Sequence, residues 1–159
     1  VKNKMWLIVG VLLILFAGLY VVNSYKNKQA LEESDNPYGK DDLKQETIDQ
    51  LNDPLYQNII VPEDLDAKLD NGETITVYYF SPTCVYCQKT TPVVVPLTEE
   101  LGVDMKKMNL LEFDKMDYYH VEGTPTIIHY EDGEEVARIA GEHPEEDFRA
   151  FFEQYVLTK

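Results

Sequence analysis

The sequence predicts an α/β fold, a mixed central β-sheet flanked by helices and preceded by one N-terminal transmembrane helix. Three observations carry this reading. Short β-branched and aromatic runs alternate with helix-compatible stretches, and the last two runs are joined by Glu131-Asp132-Gly133, a hairpin signal. Residues 5–22 form an uncharged apolar run. The only two cysteines, Cys84 and Cys87, stand where an apolar run gives way to a helix-compatible stretch.

The apolar run spans about 27 Å as a helix, close to the hydrocarbon thickness of a bilayer. Trp6 and Tyr20 lie near its ends, where amphipathic rings favour the membrane interface. A cleaved signal peptide is the competing reading. It has a shorter apolar core followed by a small-x-small site, whereas this run continues into Asn23-Ser24-Tyr25. An uncleaved anchor over 5–22 is therefore favoured. Lys2 and Lys4 precede the run and Lys26 and Lys28 follow it, so lysines alone do not orient it. The short tail, residues 1–4, is the easier part to leave in the cytoplasm, with the rest outside.

Residues 23–55 are polar and acidic and read as a tether, with Glu32, Glu33, Asp35, Asn36, Pro37 and Gly39 clustered. Within it, 41–51 offers a short helix with a thin apolar stripe of Leu43, Ile48 and Leu51. The whole chain of 159 residues carries a formal charge of −15. All 29 acidic residues lie beyond residue 28, against ten of the 14 basic ones, so that part carries −19. Such a surface is repelled by nucleic acid and by anionic lipid, and its plainest role is solubility.

From residue 56 to 159 the pattern tightens into a domain. A short strand is predicted at 58–61, and a helix at 62–69 with Pro62 in its first turn. Asn71-Gly72 marks a turn, and 74–80 has the length and residue type of a buried strand. The helix over 88–101 contains Pro92 and Pro96, which predict a kink or a break and restart. A strand follows at 103–110, a short helix or turn at 112–120, and the hairpin strands at 125–130 and 134–139. An amphipathic helix over 144–156 closes the chain, with Phe148, Phe151, Phe152 and Tyr155 as its core face.

Ser81-Pro82-Thr83-Cys84-Val85-Tyr86-Cys87 is then a strand end, a tight loop and a dithiol at a helix start. Unpaired N–H groups and the partial positive charge of a helix N-terminus favour thiolate, so Cys84 is the expected reactive thiol. A zinc site needs two more soft ligands. There is no third cysteine, and His120, His129 and His143 lack the short paired spacing of a finger. An inert disulfide across two intervening residues closes a very small loop and removes little unfolded-state entropy. A redox dithiol fits best. Two rivals stay open at this point: a binding module with an idle dithiol, and a chaperone for a soft ion such as Cu(I).

Residues 56–159 resemble the thioredoxin superfamily. The features that carry the likeness are Cys84-x-x-Cys87 after a strand, Pro92 five residues past the second cysteine, Gly123-Thr124-Pro125-Thr126 opening a strand, and Gly141 between the last strand and the last helix. The whole layout is similar to membrane-tethered, extracytoplasmic thioredoxin-like proteins of Gram-positive bacteria, including those that accompany disulfide-containing bacteriocins. The resemblance implies a thioredoxin fold and thiol–disulfide exchange on extracytoplasmic protein thiols or disulfides, with no cofactor and no metal. It also implies a membrane or extracytoplasmic redox partner. Cys84 would be the nucleophile, Cys87 the resolving thiol, Pro125 a cis-proline facing the dithiol, and Thr124 a backbone edge for an extended substrate segment.

The chain departs from the family pattern in places. Thr83 stands where thioredoxins have tryptophan, and Val85-Tyr86 where they have Gly-Pro. Tyr78 occupies the position of the buried aspartate that assists the resolving thiol, which would leave Lys107 without its carboxylate partner. A phenol titrates near 10 and cannot replace that base at neutral pH.

Overall fold

The structure is a computed structural model, and it describes residues 2–33 and 36–158. The chain divides into two compact units, Val1–Asn36 and Pro37–Lys159.

The first unit is helix α1, Lys2–Glu33. Its stretch long and apolar enough to cross a membrane is Lys4–Leu31, with no part of the apolar window buried by protein. The helix continues well beyond residue 22, into what the sequence suggested as tether. After Val22 there is no glycine or proline until Pro37, and Lys26, Gln29, Ala30 and Leu31 are strong helix formers. Once the apolar run has nucleated a helix, nothing stops its propagation there.

The second unit holds a four-stranded sheet in the order β2-β1-β3-β4. Its strands are β1 (Ile75–Phe80), β2 (Met105–Asn109), β3 (Thr126–Glu131) and β4 (Glu134–Ala140). β1 runs parallel to β2 and antiparallel to β3, which pairs antiparallel with β4. Every residue of β1 is buried, because helices cover both faces of the sheet. Alternate side chains serve two cores. Ile75, Val77 and Tyr79 pack with Leu65, Met108, Ile128 and Tyr130. Tyr78 and Phe80 pack with Val94, Leu97, Ile127, Phe148 and Phe152 on the other face.

The hairpin between β3 and β4 turns on Asp132 and Gly133, at φ 52° and 79°. Two successive positive φ values make the type I′ turn that matches strand twist. Gly133 is also pressed against helix α3 (Pro62–Asp70): a Cβ there would lie 2.2 Å from the Leu69 carbonyl oxygen.

Helix α4, Val85–Leu101, runs unbroken through Pro92 and Pro96. Both prolines lie on its exposed side, where water can satisfy the carbonyls they free, while Cys87, Thr90, Thr91, Val94, Val95, Leu97 and Thr98 hold the other side against the sheet. The expected strand at 58–61 is only a bridge, Ile59 to Lys107, held by Ile60 N–H on the Lys107 carbonyl (2.9 Å) and Lys107 N–H on the Asn58 carbonyl (2.9 Å). Asn58 at φ 65° bends the chain away from further pairing. Residues 112–120 are turns rather than helix. Helix α5 is Glu145–Phe151, and a π turn, Phe152–Val156, follows it. Phe148, Phe151 and Phe152 are buried as expected, but Tyr155 is turned out to solvent.

The largest departure concerns residues 37–55. They fold with the domain instead of forming a tether. Tyr38, Leu43, Thr47, Ile48 and Leu51 are buried, and helix α2 is Gln45–Ile48. A short 3₁₀ turn, Pro54–Tyr56, is capped by the Asp53 carboxylate, which accepts from Leu55 N–H at 2.9 Å. The segment is clasped to the end of β2. The fully buried Asn109 amide donates to the Thr47 hydroxyl (3.1 Å) and the Tyr38 hydroxyl (3.3 Å). The Glu112 carboxylate accepts from Lys44 N–H at 2.8 Å. A buried amide needs such partners, and the thin apolar stripe gains from the same burial.

Candidate active site

β1 ends at Phe80, and Ser81-Pro82-Thr83 carries the chain round to Cys84. Three hydrogen bonds set that loop: Cys84 N–H to the Ser81 carbonyl (3.1 Å), the Ser81 and Thr83 hydroxyls (3.0 Å), and the Gln88 amide to the Pro82 carbonyl (2.8 Å). Cys84 is the N-cap of α4, with extended backbone, and its carbonyl accepts from Gln88 N–H at 3.0 Å. Its side chain is half-buried. Cys87 lies one turn further along and is 1% exposed. Both are free thiols.

The fold brings Thr124 to the dithiol from a distant part of the chain. The Cys84 thiol donates to the Thr124 carbonyl at 3.2 Å. The Thr124–Pro125 peptide bond is cis. The Pro125 carbonyl accepts from Gly141 N–H at 2.8 Å, and the Thr126 hydroxyl donates to the Gly123 carbonyl at 2.7 Å. Thr124, Pro125 and Gly141 are thus gathered beside Cys84, with the Thr124 carbonyl occupied by the resting thiol.

The two thiols differ in acidity. Burial acts to raise Cys84, but hydrogen bonds from Thr124, from the backbone N–H groups of Cys87 and Tyr86 and from the Cys87 thiol outweigh it, and Cys84 lies below the ordinary thiol value. Desolvation pushes Cys87 up to about 11, and the neighbouring Cys84 adds to the rise. Low acidity behind and high acidity in front is the polarity a nucleophile–resolver pair requires.

Tyr78, fully buried, places its hydroxyl 3.0 Å from the Thr91 hydroxyl, which donates to the Cys87 carbonyl at 2.8 Å. Burial raises the Tyr78 phenol far above its ordinary value, so it stays neutral. Lys107, opposite Tyr78 in the sheet register, donates to the Gln57 carbonyl at 2.7 Å. Desolvation lowers its ammonium below the usual lysine value. Of the histidines, His129 is buried on the Thr76 hydroxyl (2.8 Å), and His120 sits in a turn at positive φ. Among the described residues no group of three or more His, Cys, Asp and Glu is placed to share a metal ion.

Sequence reasoning missed the rim of the site. Tyr86, Gly141, Glu142, His143 and Pro144 line an open cavity of about 610 Å³. Lys89 lies 3.5 Å from Glu142 and 5.8 Å from the centre of the Tyr86 ring. Of these, Tyr86 lies within the Cys-x-x-Cys motif and Gly141 carried a motif signal, whereas Glu142, His143 and Pro144 carried none.

Comparison with known proteins adds a second line. The family model described as Thioredoxin matches residues 57–154. A thioredoxin from Chlamydia pneumoniae is 36% identical over 85 residues, covering 52% of this chain and 82% of that protein. The Thioredoxin domain-containing protein 5 homolog of Drosophila melanogaster is 24% identical over 143 residues, and the match spans 87% of this chain but only 33% of that longer protein. Among solved structures, a mutant thioredoxin from Halobacterium salinarum superposes with a TM-score of 0.52 at 27% identity, over 61% of this chain and 87% of its own.

Proposed function

The chain belongs to the thioredoxin family, and from that premise we propose that it performs thiol–disulfide exchange on extracytoplasmic proteins while anchored in a membrane by α1. The observation that carries the reading is the asymmetric dithiol: Cys84 half-exposed and acidified at the start of α4, Cys87 buried and weakly acidic one turn behind it.

In the reducing direction the Cys84 thiolate attacks one sulfur of a substrate disulfide. A Cys84–substrate disulfide forms, and the other substrate sulfur leaves and takes up a proton. Cys87 then loses its proton and attacks the Cys84 sulfur. The Cys84–Cys87 disulfide forms, the first substrate sulfur leaves, and it receives the proton that Cys87 gave up. Two electrons have passed from the dithiol to the substrate. The oxidising direction runs the same steps backwards, and the compartment's redox poise sets which one prevails. Thr124, released from the Cys84 thiol when that thiol ionises, offers its carbonyl to an extended substrate strand, with Pro125 beside it. The partners are protein thiols or disulfides and a membrane or extracytoplasmic redox protein that resets the dithiol.

Trapping tests this. The full chain with Cys87→Ser should accumulate mixed disulfides through Cys84 with its protein substrates, and Cys84→Ser should accumulate none. Cellular function that survives in the double-serine variant refutes the proposal and favours a binding module with an idle dithiol. For the anchor, the full chain should stay with carbonate-washed membranes, and external protease should release the domain. A mature form beginning just past residue 22 in the culture medium refutes it.

A further inference from the structure

A second cavity, of about 330 Å³, is walled by Tyr118, Tyr119 and Tyr130 together with Asp66, Asp70 and Glu135. It lies on the sheet face away from the dithiol: Tyr119 and Tyr130 belong to the core that holds Val77 and Tyr79, whereas Cys87 packs into the core of the other face. Its size is at the small end for ligand pockets and suits a side chain rather than a cofactor. The carboxylates there are placed against local preference. Asp66 and Asp70 stand four residues apart on α3, where like charges face each other, and Asp70 is the last residue of the helix, where the dipole favours cations. The nearby cations are turned elsewhere. Lys68 pairs with Glu73 at 2.7 Å, Arg138 is held by Glu135 and donates to the His120 carbonyl at 2.8 Å, and Lys115 lies 4.6 Å from the centre of the Tyr118 ring. Asp66 accepts from the Tyr119 hydroxyl at 2.8 Å and the Tyr118 hydroxyl at 3.4 Å. Among the described residues the Asp70 carboxylate has no hydrogen-bond or ion-pair partner. The charge of Asp66 foremost, and that of Asp70 with it, hold the Tyr118 phenol above its ordinary value.

Negative charge is thus gathered against aromatic rings, and both attract a cation. Calcium takes six or more oxygen ligands, and among the described residues no three His, Cys, Asp or Glu are placed to share a metal ion. A guanidinium matches better: it is flat, stacks on rings and forks onto a carboxylate. We propose that this cavity is a docking site for an arginine side chain presented by a partner protein, its guanidinium set against the Tyr118–Tyr119 pair and bonded to the Asp70 carboxylate. The two rings meet edge to face with centres 4.9 Å apart. The hairpin turn pressed on α3 at Gly133 holds the two walls of the cavity together. The acidic surface of the domain draws basic proteins in general, and the cavity selects one residue of them. This goes beyond the exchange reading and stands without it. Because the dithiol lies on the other face, a partner held here leaves Cys84 free to react.

The test titrates the full chain in detergent micelles with N-acetyl-arginine methylamide and follows the ring resonances of Tyr118 and Tyr119 by NMR. The probe should shift both rings saturably, and the neutral N-acetyl-citrulline methylamide should not. Asp70→Asn should weaken binding roughly tenfold, as for loss of one hydrogen bond to a charged group, and Tyr118→Leu about threefold. Asp70 and Tyr118 are both exposed, so neither variant removes core. Glu153→Gln makes the same charge change at an exposed position outside the cavity and should leave binding unaltered. Equal binding of the citrulline probe, unchanged affinity in Asp70→Asn, or equal losses in Asp70→Asn and Glu153→Gln overturn the proposal, the last by showing only diffuse attraction. Free arginine carries a carboxylate that the cavity repels. Tighter binding of free arginine than of the blocked probe would make this a site for the amino acid itself and overturn the docking role. Calcium chloride that shifts the same rings at lower concentration than the probe would overturn it in favour of a metal site. None of these readings uses the dithiol, so failure of the exchange reading leaves them intact.

Discussion

Iodoacetamide added to the reduced full chain reads the asymmetry of the dithiol, because only thiolate reacts. Cys87 is held at about 11 against an ordinary value of 9.0. At pH 7 about one Cys87 in ten thousand is then ionised, against about one in a hundred for an ordinary thiol. The rarer thiolate is the better nucleophile, and over that interval the gain is about tenfold. Ionisation alone therefore leaves Cys87 about tenfold slower than an ordinary thiol. Its 1% exposure slows it further. Cys84 is half-buried but lies below the ordinary value, so more of it is ionised than of a free cysteine. Cys84 should react first by at least about tenfold, and its rate should level off at a lower pH than that of free cysteine. Fragment-ion mass spectrometry of the peptide that holds both cysteines, sampled over time from pH 5 to 8, separates the two sites. Equal labelling, or Cys87 modified first, would show that the burial and hydrogen bonding described for this pair do not govern its chemistry.

Other expectations concern stability. A chain beginning at residue 56 loses Tyr38, Leu43, Ile48 and Leu51 from the core. At about 1.5–3 kcal/mol per buried side chain, this is comparable with the whole stability of a small domain. In urea it should unfold far earlier than a chain beginning at residue 37, and equal midpoints would restore the tether reading. Gly133→Ala forces a Cβ to within 2.2 Å of the Leu69 carbonyl at φ 79°. It should cost about 3 kcal/mol, read from the urea midpoint, and a loss below about 0.5 kcal/mol would contradict the close approach of hairpin and α3. Alkaline pH should destabilise the domain. The folded value of Cys87 lies above its unfolded one, so its contribution is complete below about pH 9 and is lost as pH rises through about 11. That loss is about 3 kcal/mol for this fully buried thiol. Tyr38 and Tyr130, both pushed up to about 12 by burial, add to it at higher pH. Cys87→Ala should flatten the pH 8 to 11 part of the profile, and an unchanged slope would exclude Cys87 as its source.

What the sequence determined by itself is the part written in neighbouring residues. Ile75 to Phe80 announce a buried strand by residue type, Asp132-Gly133 announces the hairpin by its demand for positive φ, and Cys84 and Cys87 announce a dithiol at a helix start by spacing. These signals are local because φ/ψ preference and side-chain periodicity act over a few residues. The Thr-Pro motif marked Thr124 and Pro125 as site residues, but only the fold set the Cys84 thiol on the Thr124 carbonyl, 40 residues away. The tertiary structure alone decided that residues 37–55 belong to the domain, because the groups that hold them, Asn109 and Glu112, lie 62 to 72 residues further on. It also decided that Pro92 and Pro96 lie on the exposed side of α4 and leave the helix unbroken. It set the Tyr78 hydroxyl on the Thr91 hydroxyl, which in turn donates to the Cys87 carbonyl, a placement no spacing rule contains. Hydrogen bonds and apolar contacts of that range depend on which surfaces meet when the sheet closes, and a stretch of chain carries no record of its distant partner until both are buried together.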